Sequence, residues 1–210
     1  MRPSFDPLSL LAGHGPPRPV RGPSLDGESL ARTAGAYRFV ELGLFEVLSS
    51  VPATAPKGVG IAAATASSHH GWHSQLWAER LASLGVADAG SLTLPPSEGF
   101  AEVFSWLGSE SRGALEKLVG VYRVVLPRLF ISYQLHSEAA VGVADAPFAR
   151  ALRLVLAEES RWIWQGEASV LTLIEDASAV EVACSVQREL ENMLGPWRSG
   201  QKPSGPAGRS

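Results

Sequence analysis

Leu30, Ala34, Tyr37, Glu41, Leu44 and Leu48 recur at three- and four-residue spacing, and that period puts them on one face of a helix. The same spacing runs through most of the chain. Runs of β-branched residues alternating with polar ones are few, and no Asn-Gly or Asp-Gly hairpin turn occurs. The fold class expected is therefore all-α.

Five long stretches follow the helical period. The first spans about 27–50, with Asp26 as its N-cap and Pro52 beyond its end. A second follows Pro56 and stops at Gly85, with Val59, Ala63, Ala66, His70, His73, Trp77, Leu81 and Leu84 facing inward. A third begins after Ser109 and reaches about Val141, with a stripe of Leu115, Leu118, Tyr122, Leu126, Leu129, Tyr133 and His136. Pro127 lies in its middle and is expected to kink it. Asp145 is the expected cap of a fourth, with Pro147 in its first turn. Phe148, Leu152, Val155, Leu156, Glu159, Ile163, Val170 and Leu173 form its inward face. Ser178 to Glu181 reads as a capping box opening a shorter fifth helix that ends at Gly195-Pro196.

The connections carry topology. Short loops join the first helix to the second and the third to the fourth, so each pair is expected to be an antiparallel hairpin. Residues 86–109 form a much longer crossover holding Pro95-Pro96 and a short helix around 100–107. Residues 26–195 are read as one helical domain. The Pro-rich segment 1–25 and the Gly/Pro/Ser-rich segment 196–210 are expected to be flexible tails, since they bury too little apolar surface to offset chain entropy.

Two hairpins joined by one long crossover resemble the ferritin-like four-helix bundle, here with an additional C-terminal helix. That superfamily builds carboxylate metal sites from one Glu on each of two helices and Glu-x-x-His on the other two. Glu41 lies in the core stripe of the first helix. His70-Gly71-Trp72-His73 has the three-residue spacing with His where the family has Glu. Glu159-Ser160-Arg161-Trp162 keeps the Glu and has Trp in place of His. The resemblance covers roughly 27–176 and implies a degenerate metal site.

At a rise of about 1.5 Å per residue, Glu41, His70 and Glu159 fall near mid-bundle, whereas His136 falls roughly 10 Å away along the axis. The residues of the third helix at the right depth are Leu126 and Leu129, which bind no metal. What remains is Glu41, His70, His73 and Glu159, two imidazoles and two carboxylates able to hold one iron, manganese or zinc ion. A second ion would lack ligands. The resemblance implies a non-haem iron or manganese oxidase or hydroxylase acting on a small-molecule substrate. Tyr37, Tyr122, Tyr133 and Trp162 are the candidates for shaping its pocket. The alternative is a metal-free ferritin-like scaffold in which Glu and His hydrogen-bond each other, acting through a protein partner or as a homodimer. His69, Glu46, Glu158 and Glu167 are read as solvated or as neighbours of the ligands.

Other chemistry is disfavoured. A net charge of -3 without a basic stripe argues against nucleic acid. No apolar run approaches the ~18 residues of a membrane helix. A single cysteine, Cys184, excludes an internal disulfide and fits a cytoplasmic location; it is expected to be a small buried hydrophobe. Gly58 to Ala63 partly matches a dinucleotide fingerprint, but no strand is expected before it. The tryptophans at helical spacing are expected in the core.

Overall fold

The computed structural model describes residues 26–140 and 145–196, so both expected tails, apart from Pro196, lie outside the described residues. Among these residues the chain is all helix and turn, with no strand. The α-helices are α1 (Gly27–Ser50), α2 (Lys57–Ser83), α3 (Glu98–Gly108), α4 (Ala114–Val119), α5 (Leu126–Ala139), α6 (Ala146–Leu173) and α7 (Ala177–Leu194). A π-helical segment, Gly120–Val125, joins α4 to α5 without a break, so the two form one rod. None of these helices is long and apolar enough to cross a membrane.

Contacts between the rods fix their directions. Glu41 meets His70, Phe45 O accepts from Ser67 Oγ at 2.8 Å, and Pro52 lies against Gly60. One index rises as the other falls, so α1 and α2 are antiparallel. His136 against Phe148 and Arg123 against Glu167 make α4–α5 antiparallel to α6 in the same way. Tyr37 to His136 and Ser50 to Lys117 make α1 antiparallel to α4–α5. It follows that α2 and α4–α5 run in the same direction, which only a long crossover permits. The crossover includes a short 3-10 turn (Ala89–Leu92) and α3. It lies so close to α1 that a Cβ on Gly35 would stand 1.9 Å from Leu92 O. α7 packs on the outside, against α3 and α4.

The inward stripes close one core. In α1 every residue of the expected stripe is buried. In α2 seven of the eight are buried, and Leu84 is the exception: it lies beyond the last turn, 37% exposed. Asp26 caps α1 by accepting from Ser29 N–H at 2.7 Å.

Several expected boundaries move. The third rod begins at Ala114, where Glu116 accepts from Gly113 N–H at 2.8 Å. Asp145 precedes α6 but does not cap it with its side chain. The cap of α7 is Asp176, which accepts from Ala179 N–H at 2.8 Å, so Ser178 lies inside the helix and the expected box does not form. Cys184 is exposed, because the buried face of α7 is Ala183, Val186 and Leu190 and Cys184 sits about 100° around from Ala183. Trp77 is fully buried, but Trp72 and Trp164 are 46% and 44% exposed.

Pro127 is accommodated by a change of helical period. It has no N–H to give, and in a regular helix its ring would meet the carbonyl four residues back. The preceding turn widens, with Leu126 N–H reaching Val121 O, five residues back.

Candidate metal centre

His70 and His73 are three residues apart on α2 and therefore share a face. They point between α1, which supplies Glu41, and α6, which supplies Glu159. α1 and α2 lie close together beside them: a Cβ on Gly71 would lie 3.1 Å from the Phe45 ring. All four side chains have no exposed surface.

One donor atom from each of the four lies within 4.8 Å of the other three. His70 Nδ1 is 2.7 Å from Glu41 Oε2 and 3.4 Å from Glu159 Oε1. His73 Nδ1 is 3.1 Å from Glu159 Oε1 and 3.4 Å from Glu41 Oε1. Donors about 2.1 Å from a common ion stand roughly 3.0–3.4 Å apart in octahedral or tetrahedral geometry. Three of the four distances fall in that range, and the 2.7 Å pair is a hydrogen bond.

The surroundings hold the donors in place. Tyr133 donates its hydroxyl to Glu41 Oε1 at 2.6 Å and accepts from Trp77 Nε1 at 3.0 Å. His73 presents its second nitrogen, Nε2, to Glu158 Oε2 at 3.0 Å, the carboxylate–histidine pairing that orients a ligating imidazole. Within the cage, Glu159 Oε2 and His70 Nε2 are buried and have no hydrogen-bond partner among the described residues. A buried carboxylate oxygen without a partner costs free energy that a cation would recover.

Charge ties the four side chains together. Burial disfavours the charged imidazoles, but the carboxylates of Glu159 and Glu41 outweigh it and raise the pKa of both His70 and His73. Burial alone would also raise Glu41, but His73 and His70 hold it well below the usual carboxylate range. With both imidazoles protonated and both carboxylates ionised, the charges of these four side chains would cancel. A divalent ion with two neutral imidazoles has the same net charge.

The structure brings together all four residues singled out from sequence. His136 stays outside the cage, as the depth count expects, and accepts or donates at 3.2 Å with the Tyr37 hydroxyl. The third helix reaches the cage through Tyr133, not at the level of Leu126 and Leu129. A helical side chain leans toward the N-terminus of its helix, and the long phenol carries its hydroxyl down to Glu41. Tyr37 packs edge-on against Tyr133 at 4.6 Å between ring centroids. Tyr122 lies buried in the π turn with its ring against Gly166. Trp162 is buried with its ring 4.5 Å from that of His69. Glu46 is exposed, and Glu167 pairs with Arg123 at 2.6 Å. Glu158 and His69 are the cage's neighbours that the helical stripe does not mark. Their signal was the doublets His69-His70 and Glu158-Glu159, each with one member inward and one at the seam. No family model, curated protein or solved structure matches this chain.

Proposed function

We propose that this chain is a ferritin-like metal-binding protein holding a single divalent transition-metal ion on Glu41, His70, His73 and Glu159. The observation that carries this reading is the fully buried quartet of donors within 4.8 Å of one another. The partnerless Glu159 Oε2 beside it supports the same reading. The parallel course of α2 and α4–α5 is the feature of the architecture that favours a ferritin-like bundle over an up-and-down one.

A mixed set of two imidazoles and two carboxylates suits iron or manganese, with zinc also accommodated. When bound, iron or manganese would supply a one-electron centre, so the reading extends to a non-haem metal oxidoreductase. The chain's own part is to exclude water from the four ligands, to orient His73 through Glu158, and to fix the Glu41 carboxylate through the Tyr133 hydroxyl. Tyr133, Trp77 and Tyr37 form the aromatic wall of the cage on the α5 side.

The second reading is a metal-free scaffold working through a partner or as a dimer. Its support is the hydrogen bonding of the two imidazoles with the two carboxylates. Anaerobic titration of metal-stripped protein with Fe(II) separates the two. The metal reading expects saturable uptake at one equivalent, with protons released as the imidazoles give up theirs, followed by oxygen consumption on exposure to air. A titration with no saturable uptake would leave the scaffold reading.

A further inference from the structure

We infer that His69 and Glu158 form an outer docking site through which a divalent cation reaches the buried cage; this rests on the metal-binding reading above. All four cage side chains are fully enclosed, so an ion can enter only where a polar path meets the surface. Such a path is present on the seam between α2 and α6. His73 Nδ1 faces the cage, while its Nε2 lies 3.0 Å from Glu158 Oε2. The same oxygen lies 3.4 Å from His69 Nδ1. The side chains of Glu158 and His69 are 39% and 37% exposed. One carboxylate oxygen is thus shared by an interior imidazole and a surface imidazole.

The sequence builds this path directly. His69 and His73 are four residues apart on α2, so both rings overhang the same stretch of α6. Glu158 adjoins Glu159, which puts one carboxylate at the seam and the next inside. Trp162 flanks the His69 ring. The imidazole of His73 is then the partition between an outer site of His and Glu and an inner site of two of each. Both sites use nitrogen and carboxylate donors suited to the same divalent ions.

A residue on the inlet and a residue that merely orients His73 differ in kinetics. The probe is Co2+ added to metal-stripped full-length protein, with uptake followed by visible absorption and release followed by a chelator. The inlet requires that Glu158→Gln and His69→Ala each slow loading and release together, roughly tenfold or more for loading given the lost local charge or ligand. Final stoichiometry of His69→Ala should stay at that of the wild type. His69→Ala is the decisive variant, because the His69 ring contacts Glu158 and the cage is completed by other side chains. If Glu158 only orients His73, Glu158→Gln speeds release at unchanged loading and His69→Ala changes neither, which overturns the inlet. Both side chains are partly exposed, and circular dichroism confirms that the variants fold. A wild type that takes up no Co2+ overturns the metal reading and the inlet with it. Normal uptake at equal rates in all three proteins overturns the inlet alone.

Discussion

His70 Nδ1 lies 2.7 Å from Glu41 Oε2, and neither side chain has any surface exposed to solvent. The second oxygen of that carboxylate is held by Tyr133. Glu41 is therefore the point where α1, α2 and α5 are tied together by polar contacts. Glu41→Ala should remove the nearest carboxylate of buried His70 and the acceptor of the Tyr133 hydroxyl, and breaking a buried ion pair in this way costs about 3–5 kcal/mol. Urea unfolding of the metal-free protein measures it. A loss below about 1 kcal/mol would show that the pair does not bear on stability.

Tyr133→Phe keeps the ring but removes a hydroxyl that donates to Glu41 and accepts from Trp77 Nε1. The indole N–H is then left buried, at a cost of about 1–3 kcal/mol. The same unfolding measurement applies. Trp77→Phe made on top of Tyr133→Phe should cost less than on the wild type, since the orphaned donor is gone.

The elements themselves were legible in the sequence. The stripes of α1 and α2 place Glu41, His70 and His73 inward from spacing alone, and Glu159 follows the same rule on α6. What was not legible depended on side-chain reach and local caps. Tyr133 reaches the cage because its phenol leans a turn toward the helix start, which a count of Cα positions misses. Asp176 outcompetes Ser178 as a cap because its carboxylate meets the Ala179 N–H. Cys184 falls outside the buried face of α7, which composition cannot show. The π turn before Pro127 is a backbone answer to a local clash, and spacing statistics contain no sign of it.

His136 gives the fold a pH dependence separate from the cage. Burial lowers its pKa to about 4, and the Asp145 carboxylate opposes that only in part. The other groups facing it are the Tyr37 hydroxyl and the Phe148 ring. Between the ordinary value of 6.5 and about 4 the unfolded chain binds this proton and the folded chain does not. Stability is therefore lost as pH falls through that window, at no more than about 1.4 kcal/mol per unit. Unfolding of wild type and His136→Gln at pH 7 and pH 5 should show a smaller drop in the variant. Equal drops would contradict the assignment.

Gly166 lets α6 approach the π turn, and a Cβ there would stand 2.1 Å from the Tyr122 ring. Gly166→Ala should destabilise by about 1–3 kcal/mol through overpacking. Gly58→Ala, in the first turn of α2 with nothing within 4 Å of the added carbon, should be neutral or stabilising by up to about 1 kcal/mol. Thermal melts of the two variants make the comparison, and a Gly166→Ala melt matching the wild type would mean that the ring moves aside freely.

In the proposed function, Glu41, His70, His73 and Glu159 together hold one ion. The most direct measurement is elemental analysis by plasma mass spectrometry of untagged protein, beside a Glu41→Ala, His73→Ala double variant shown by circular dichroism to be folded. The expected result is about one iron or manganese ion, or one zinc ion, per chain in the wild type and none in the variant. A folded wild type without metal, even after anaerobic reconstitution, would contradict it.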